Sequence, residues 1–152
     1  MWSSVEPDRF VRRIPPLPLL VRLTSVAVAA PLLARLNLPN LQRFLEPRRR
    51  VTPPDGADID RVTSEVGRWV DALMRRGRPV IRPGCLTRGI TLYHALRHRG
   101  IDVHLCFGIG RDDEAMAGHC WLDLDGRPLL EPVDPRPRFT EVVHLSREGV
   151  AR

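Results

Sequence analysis

The sequence predicts an α+β fold, with helices in the first part of the chain and a small antiparallel sheet in the last part. Three observations support this prediction. Apolar residues recur at spacings of three and four before residue 100, apolar and polar residues alternate after it, and Asp125-Gly126 is a hairpin signal. Helices that precede strands, instead of alternating with them, are typical of the α+β class. A chain of 152 residues is long enough to bury one core.

The first element is an apolar run over residues 14–36, which predicts one helix at about 17–30 and a second from about Pro31. Arg22 and several prolines interrupt the run, and its uncharged part is too short to span a bilayer. We therefore expect neither a signal peptide nor a membrane segment. Residues 1–45 are expected to be a helical segment that packs on the domain or takes a partner.

Residues 46–57 predict a linker, because their prolines and glycine prevent regular structure. From Asp58, apolar residues again recur at helical spacing, with Asp58 as the expected cap and Gly77 as the expected stop. We expect residues 58–152 to form the domain that carries the functional site. The alternative is that the whole chain forms one compact domain.

Cys85 follows Pro83-Gly84 directly and begins a predicted helix that ends before Gly100. Four strands are predicted after it, at residues 101–109, 119–124, from Leu129 onward and 140–145, with a polar turn at 111–114.

Composition and charge exclude several classes of function. The hydrophobic fraction of 43% is that of a globular protein. The formal net charge is +6, but the arginines are scattered apart from a run at 48–50, so we expect no nucleic-acid binding. The cysteines Cys85, Cys106 and Cys120 are odd in number and lack CxxC spacing, which indicates a reducing, cytoplasmic compartment. No residues have metal-ligand spacing, so neither a metal nor another cofactor is expected.

Cys85 is the candidate nucleophile. A thiol attacks as thiolate, and the free N–H groups of a helix start favour negative charge on the sulfur and on an oxyanion. Cys106 and Cys120 lack such a setting and are predicted to be small core residues.

His119 is the candidate base. Residues on one strand alternate between faces, so His119 shares a face with Trp121 and Asp123, whereas Cys120 and Leu122 face the core. His119 is therefore directed away from that apolar side, toward a cleft.

The acid that orients His119 depends on the hairpin at Asp125-Gly126. A three-residue loop, 124–126, would pair Asp123 with Arg127 and bring Glu131 directly opposite His119. A two-residue turn would put Pro132 opposite His119 and remove Glu131 from that face. We choose Glu131 and keep Asp123 in reserve.

These residues carry a resemblance to a known family. The matching segments are Cys85-Leu86-Thr87-Arg88-Gly89-Ile90, Leu96-Arg97-His98-Arg99-Gly100, Phe107-Gly108-Ile109 and Gly118-His119-Cys120-Trp121-Leu122-Asp123-Leu124-Asp125-Gly126-Arg127-Pro128. Over about residues 60–145 the chain resembles the transglutaminase-like peptidases of lasso-peptide biosynthesis, the B2 proteins, which are equivalent to the C-terminal domain of the microcin-processing B protein. The family pattern is roughly C-L-x-R-S-L, L-R-R-x-G and H-A-W-V-E-x-D-G-x-P. The chain differs from it at Gly89, at Cys120, and at Glu131, where the family usually has Asp.

The resemblance implies a transglutaminase/papain-like fold and a cysteine peptidase with Cys85 as nucleophile, His119 as base and Glu131 as triad acid. It further implies removal of the leader from a ribosomally made precursor peptide, with a leader-recognition protein and an ATP-using cyclase as partners. Two alternatives remain open. An amine acceptor in place of water would make the chain an acyltransferase, and loss of the chemistry would leave a peptide-binding module.

Overall fold

The computed structural model of the chain describes residues 14–112 and 115–151. Its helices are α1 (Leu17–Leu33), α2 (Leu38–Leu45), α3 (Gly56–Arg76) and α4 (Cys85–Arg97), and its strands are β1 (His104–Asp112), β2 (Ala115–Leu124), β3 (Arg127–Leu129), β4 (Phe139–Ser146) and β5 (Gly149–Ala151).

The strands form one antiparallel sheet in the order β3-β2-β1-β4-β5, which confirms the predicted α+β class. β1 is central and pairs with β2 along its whole length. The helices lie against the sheet through α4, which packs on β1 and β2 and is itself covered by α1 and α3. The helix that begins at Cys85 is therefore the centre of the molecule.

The core lies between α4 and one face of the sheet. Leu105, Leu122 and Leu145 come from three adjacent strands and are completely buried, and they belong to the same cluster as Ile90 and Leu96 of α4. Because side chains alternate along a strand, Cys106 and its β2 partner Trp121 lie on the opposite face. His119 shares that opposite face.

Two helix boundaries differ from the sequence prediction. α1 continues through Pro31 to Leu33, so the prediction of a new helix at Pro31 is wrong. A proline removes only one intrahelical bond, and here it falls in the last turn, where little helix remains to be lost. The next helix begins at Leu38, where the Asn37 side chain accepts a hydrogen bond from the Asn40 amide at 3.1 Å.

α3 begins at Gly56, with Asp55 instead of Asp58 in the capping position, and it ends before Gly77 as predicted. Asp58 instead pairs with Arg61 on the helix surface at 2.8 Å. Arg111, expected in a turn, belongs to β1, and residues 113–114 of that turn lie outside the described residues, as do residues 1–13.

The end of α2 is fastened to α4 by a buried polar network. Glu46 accepts hydrogen bonds from Tyr93 and from Arg97, the latter at 3.0 Å, and Arg97 also pairs with Asp102. Burial, followed by the hydrogen bond to Glu46, raises the pKa of Tyr93. Buried residues of α1 and α2 belong to the same core cluster as α4 and the sheet. The division into 1–45, 46–57 and 58–152 stays a prediction.

Among the described residues, none of the helices combines the length and apolarity that crossing a membrane requires.

Candidate active site

Cys85 is the first residue of α4, as predicted, and its side chain is half-buried. Gly84 precedes it in extended conformation, and the first helical hydrogen bond runs from the Arg88 amide to the Gly84 carbonyl at 3.0 Å. Within the described ranges, no side chain caps this helix start and no acidic residue occupies its first turn. The first amides of α4 therefore remain available to a negatively charged sulfur or oxygen.

The other two cysteines are buried, as expected, with Cys106 3% and Cys120 5% exposed. Burial raises the pKa of both thiols, and for Cys106 a hydrogen bond to Glu141 acts in the same direction. Thiolate formation is disfavoured at both residues, which leaves Cys85 as the accessible thiol.

Gly89 brings α4 unusually close to β2. A Cβ atom at this position would lie 2.6 Å from Sγ of Cys120 and 3.1 Å from a methyl group of Leu105. Cys85 lies one turn earlier on the same helix face, and Cys120 is the neighbour of His119. The two departures from the family pattern, Gly89 and Cys120, are thus in contact, and the small residue makes room for the larger one.

His119 and Glu131 are brought together. Nε2 of His119 lies 3.2 Å from Oε2 of Glu131, and both side chains are largely buried. The imidazole lies 5.0 Å from the ring of Phe139 and 6.0 Å from that of Trp121. Glu131 therefore fixes the ring through Nε2, and Nδ1 is left without a hydrogen-bond partner among the described residues.

The hairpin that precedes Glu131 has a different register from the one we predicted. Leu124 pairs with Arg127, so the turn contains two residues, Asp125 and Gly126. Both have positive φ, 51° and 77°, as a type I′ turn requires. The predicted three-residue loop is wrong.

Glu131 nevertheless reaches His119, because β3 does not continue past Leu129. Leu130 has a φ of 58°, which bends the chain out of the strand direction. Its side chain packs against Gly67 of α3, where a Cβ atom would lie 2.8 Å from Leu130. The expectation that a two-residue turn would separate Glu131 from His119 is wrong, since it assumed a straight strand.

Asp123, the reserve candidate, has a different environment. Its Oδ1 accepts a hydrogen bond from the Gly126 amide at 2.7 Å, and its strand partner is Pro128. The carboxylate closes the hairpin turn and makes no hydrogen bond to His119.

Arg88 links these parts, and sequence reasoning gave it no role. Its Nη1 lies 3.4 Å from Oε1 of Glu131, its Nη2 donates to the Leu130 carbonyl at 3.0 Å, and its Nε donates to Asp71 of α3 at 2.8 Å. The only sequence signal was its place three residues after Cys85 in the matching segment. Arg88 connects the first turn of α4 to the carboxylate that is hydrogen-bonded to His119.

No group of three or more His, Cys, Asp and Glu side chains in the described part of the chain is arranged to hold a metal ion.

The fold and the site together define a class: an α+β protein with a half-buried cysteine at the start of its central helix and a hydrogen-bonded histidine–carboxylate pair at the adjoining sheet. Residues 23–144 match the model of the transglutaminase-like superfamily, and the chain belongs to this superfamily. The superfamily includes cysteine peptidases and acyltransferases. Neither a curated protein nor a solved structure matches the chain.

Proposed function

We propose that the chain is a cysteine peptidase that removes the leader peptide from a ribosomally synthesised, lasso-type precursor. Cys85 is the nucleophile, His119 the general base and Glu131 the acid that orients His119. One observation carries the proposal: the helix turn that presents Cys85 also presents Arg88, and Arg88 contacts the carboxylate that is bonded to His119.

In the first half-reaction, His119 takes the thiol proton through its free Nδ1, and the thiolate of Cys85 attacks the scissile carbonyl. The uncapped amides at the start of α4 stabilise the oxyanion by donating hydrogen bonds to it. His119 then returns the proton to the leaving amine, and Cys85 remains as a thioester.

In the second half-reaction, His119 takes a proton from water, and the resulting hydroxide attacks the thioester. The acid product leaves, and the proton on His119 regenerates the thiol of Cys85. Glu131 keeps Nε2 of His119 protonated and stabilises the imidazolium in both halves.

The choice of a leader peptide as substrate is supported by the segments shared with the lasso-peptide peptidases. The same resemblance supports a separate leader-recognition protein and an ATP-using cyclase as partners in a cytoplasmic pathway.

The proposal is tested by incubating the purified chain with a precursor peptide encoded beside it and with the leader-binding protein, followed by mass spectrometry. We expect two fragments whose masses sum to that of the precursor plus one water. A product joined to an amine would instead identify an acyltransferase. An unchanged precursor that still binds the chain would identify a binding module.

Matched cysteine variants separate chemistry from folding. Cys85→Ala is expected to abolish cleavage, whereas Cys106→Ala is expected to retain it, because Cys106 is buried on β1 and does not lie at the start of α4. In the absence of any substrate, iodoacetamide is expected to alkylate Cys85 first, and His119→Ala is expected to slow that alkylation. Equal alkylation rates in wild type and His119→Ala would contradict the role of His119.

A further inference from the structure

A cavity of about 270 Å³ lies between α1 and the C-terminal end of α4. Its apolar floor is formed by Leu19, Leu23 and Ala95, and its polar rim consists of basic residues, Arg22, His94, His98 and Arg99. None of the described residues that line it is acidic. The cavity lies outside the candidate active site, at the other end of the same helix.

His94 holds the Arg22 side chain in place. It is 6% exposed, and its Nδ1 donates to the Leu45 carbonyl at 3.1 Å, so its Nε2 is left to accept a hydrogen bond from Nε of Arg22 at 3.0 Å. A histidine buried in this way orients the guanidinium. Both Nη groups of Arg22 remain without a partner among the described residues.

The other two rim residues are fixed through backbone carbonyls. Nδ1 of His98 donates to the His94 carbonyl at 2.9 Å, and Nε2 has no hydrogen-bond partner among the residues that the structure describes. Arg99 donates to the Ala95 carbonyl at 2.9 Å. Three side chains with spare nitrogen atoms therefore surround one small cavity.

Arg22 and Arg99 repel each other, and the positive charge of Arg22 disfavours protonation of the two histidines. Burial is the main cause that lowers the pKa values of His94, His98 and Arg99, and the positive charge of Arg22 lowers each of them further. Glu65 acts in the opposite direction on Arg99, and Glu46 does so on His98. A bound anion would relieve this repulsion.

We propose that this cavity binds the carboxylate of an acidic side chain in a peptide. Glu65 acts on Arg99 and offsets part of its charge, so Arg22 is the main uncompensated cation of the rim and matches a monoanion better than a phosphate dianion. A guanidinium with two free Nη groups fits the two oxygens of a carboxylate. The apolar floor accommodates the methylene groups of Glu or Asp.

The location suggests which peptide is bound, and this step rests on the proposed function. Along α4, His98 lies about 20 Å from Cys85 at 1.5 Å per residue. An extended peptide covers that distance with about six residues. An acidic residue six or more positions from the scissile bond of the precursor would thus reach the cavity while Cys85 contacts the cleavage site.

The binding step is tested without catalysis, on the full-length Cys85→Ala variant labelled for NMR. The probes are acetyl-Gly-Glu-Gly-amide, its Gln counterpart and inorganic phosphate. We expect the Glu peptide to shift the His98 imidazole signals and to bind at least about fivefold more tightly than the Gln peptide. Equal binding of the two peptides, or binding of phosphate alone, would overturn the proposal.

Matched variants locate the site. Arg22→Gln is expected to abolish the preference for Glu, and Arg35→Gln, which removes the same charge from an exposed position just after α1, is expected to retain it. Arg22→Lys keeps the charge without the planar fork and should retain only part of the preference. If Arg22→Gln and Arg35→Gln reduced the preference for the Glu peptide equally, the preference would be a general charge effect. That result would overturn the assignment of the site to the cavity.

The substrate step is tested with precursors whose acidic residues are replaced one at a time by their amides. We expect one replacement, six or more residues from the cleavage site, to raise KM about tenfold with kcat unchanged in the wild type and to have no effect in Arg22→Gln. If no replacement does so while cleavage proceeds, the extended inference fails and the proposed peptidase activity stands.

Discussion

At the scale of single residues, the length of the Glu131 side chain matters. The bend at Leu130 brings the backbone of Glu131 back toward β2, and the carboxylate still lies 3.2 Å from His119 and 3.4 Å from Arg88. An aspartate lacks one methylene group and would have to shift the backbone to make both contacts. The longer side chain of glutamate therefore fits the position of the backbone at residue 131.

Glu131→Gln is expected to lower kcat by about 10²- to 10⁴-fold, because a neutral amide stabilises neither the imidazolium nor its tautomer. Glu131→Asp should lose less than Glu131→Gln, since it keeps the charge. The measurement is precursor cleavage followed by mass spectrometry. As a control, Asp123→Asn removes a carboxylate from the same hairpin and should leave kcat within about twofold; a loss equal to that of Glu131→Gln would make Asp123 the orienting acid.

A second residue-scale feature is the contact between Gly89 and Cys120. A glycine inside a helix costs about 1 kcal/mol relative to alanine. The close approach of Cys120 Sγ explains why it is present here.

Gly89→Ser is expected to destabilise the fold by about 1–3 kcal/mol, because its Cβ would overlap Sγ of Cys120. Cys120→Ala alone should also destabilise the fold, because it removes a buried sulfur atom. The double variant, which carries the Ser and Ala of the lasso-peptide peptidase pattern, should be more stable than the sum of the two single effects predicts. Urea denaturation of the four proteins measures this coupling, and strict additivity would show that the two sites do not compete for space.

At the scale of elements, α4 organises the chain. Its first residue is Cys85, its first turn carries Arg88, and its last turn carries His94 and Arg97, which bond to the end of α2. α3 supports the candidate site indirectly. Asp71 accepts a hydrogen bond from Arg88, and Gly67 leaves space for the Leu130 side chain. The geometry of the candidate site thus depends on how α3 and α4 pack.

Arg88 is expected to act as a positioning residue. Arg88→Gln should lower kcat by about 10- to 100-fold with little change in KM, because the Glu131–His119 pair would lose its fixed orientation. Arg88→Lys should recover only part of the activity, since an ammonium cannot contact Asp71, Leu130 and Glu131 as a planar fork does.

A suitable control is Arg61→Gln, which breaks an exposed ion pair with Asp58 on α3. It should leave kcat unchanged. The contradicting result is that Arg88→Gln lowers the melting temperature and the apparent kcat together. If kcat per folded molecule were then normal, Arg88 would have a purely structural role.

At the scale of the whole molecule, the buried polar groups couple stability to pH. Burial, followed by the neighbouring charges of His98 and Arg22, lowers the pKa of His94 to about 4. Below pH 6.5 the unfolded chain binds a proton at His94 that the folded chain does not bind until about pH 4. The folded state therefore loses stability as the pH falls through this window.

The contribution of His94 to this loss is expected to be about 3 kcal/mol between pH 7 and pH 4. His94→Gln should be less stable than the wild type at pH 7 but should lose less stability on acidification. Urea denaturation of both proteins across this range provides the comparison. Parallel curves for wild type and variant would show that His94 is not the group responsible.

Much of the fold could be predicted because its signals are local. The periodicity of α3, the start of α4 after Pro83-Gly84 and the alternation of β1 each depend on residues close in sequence. The turn at Asp125-Gly126 was located correctly, but its length was not. Two- and three-residue turns are both compatible with this dipeptide. They differ in the φ values of the turn residues, and those values are fixed by the packing of the strands.

The sequence by itself determined the α+β order of the elements and the place of Cys85 at the start of a helix. It also determined the strand face of His119, because alternation is a property of neighbouring residues. Only the tertiary structure decided that Glu131 meets His119. That contact occurs where the chain bends at Leu130, which packs against Gly67 of α3, and where Arg88 of α4 contacts both Leu130 and Glu131. Such contacts join residues far apart in the chain, and no local pattern encodes them.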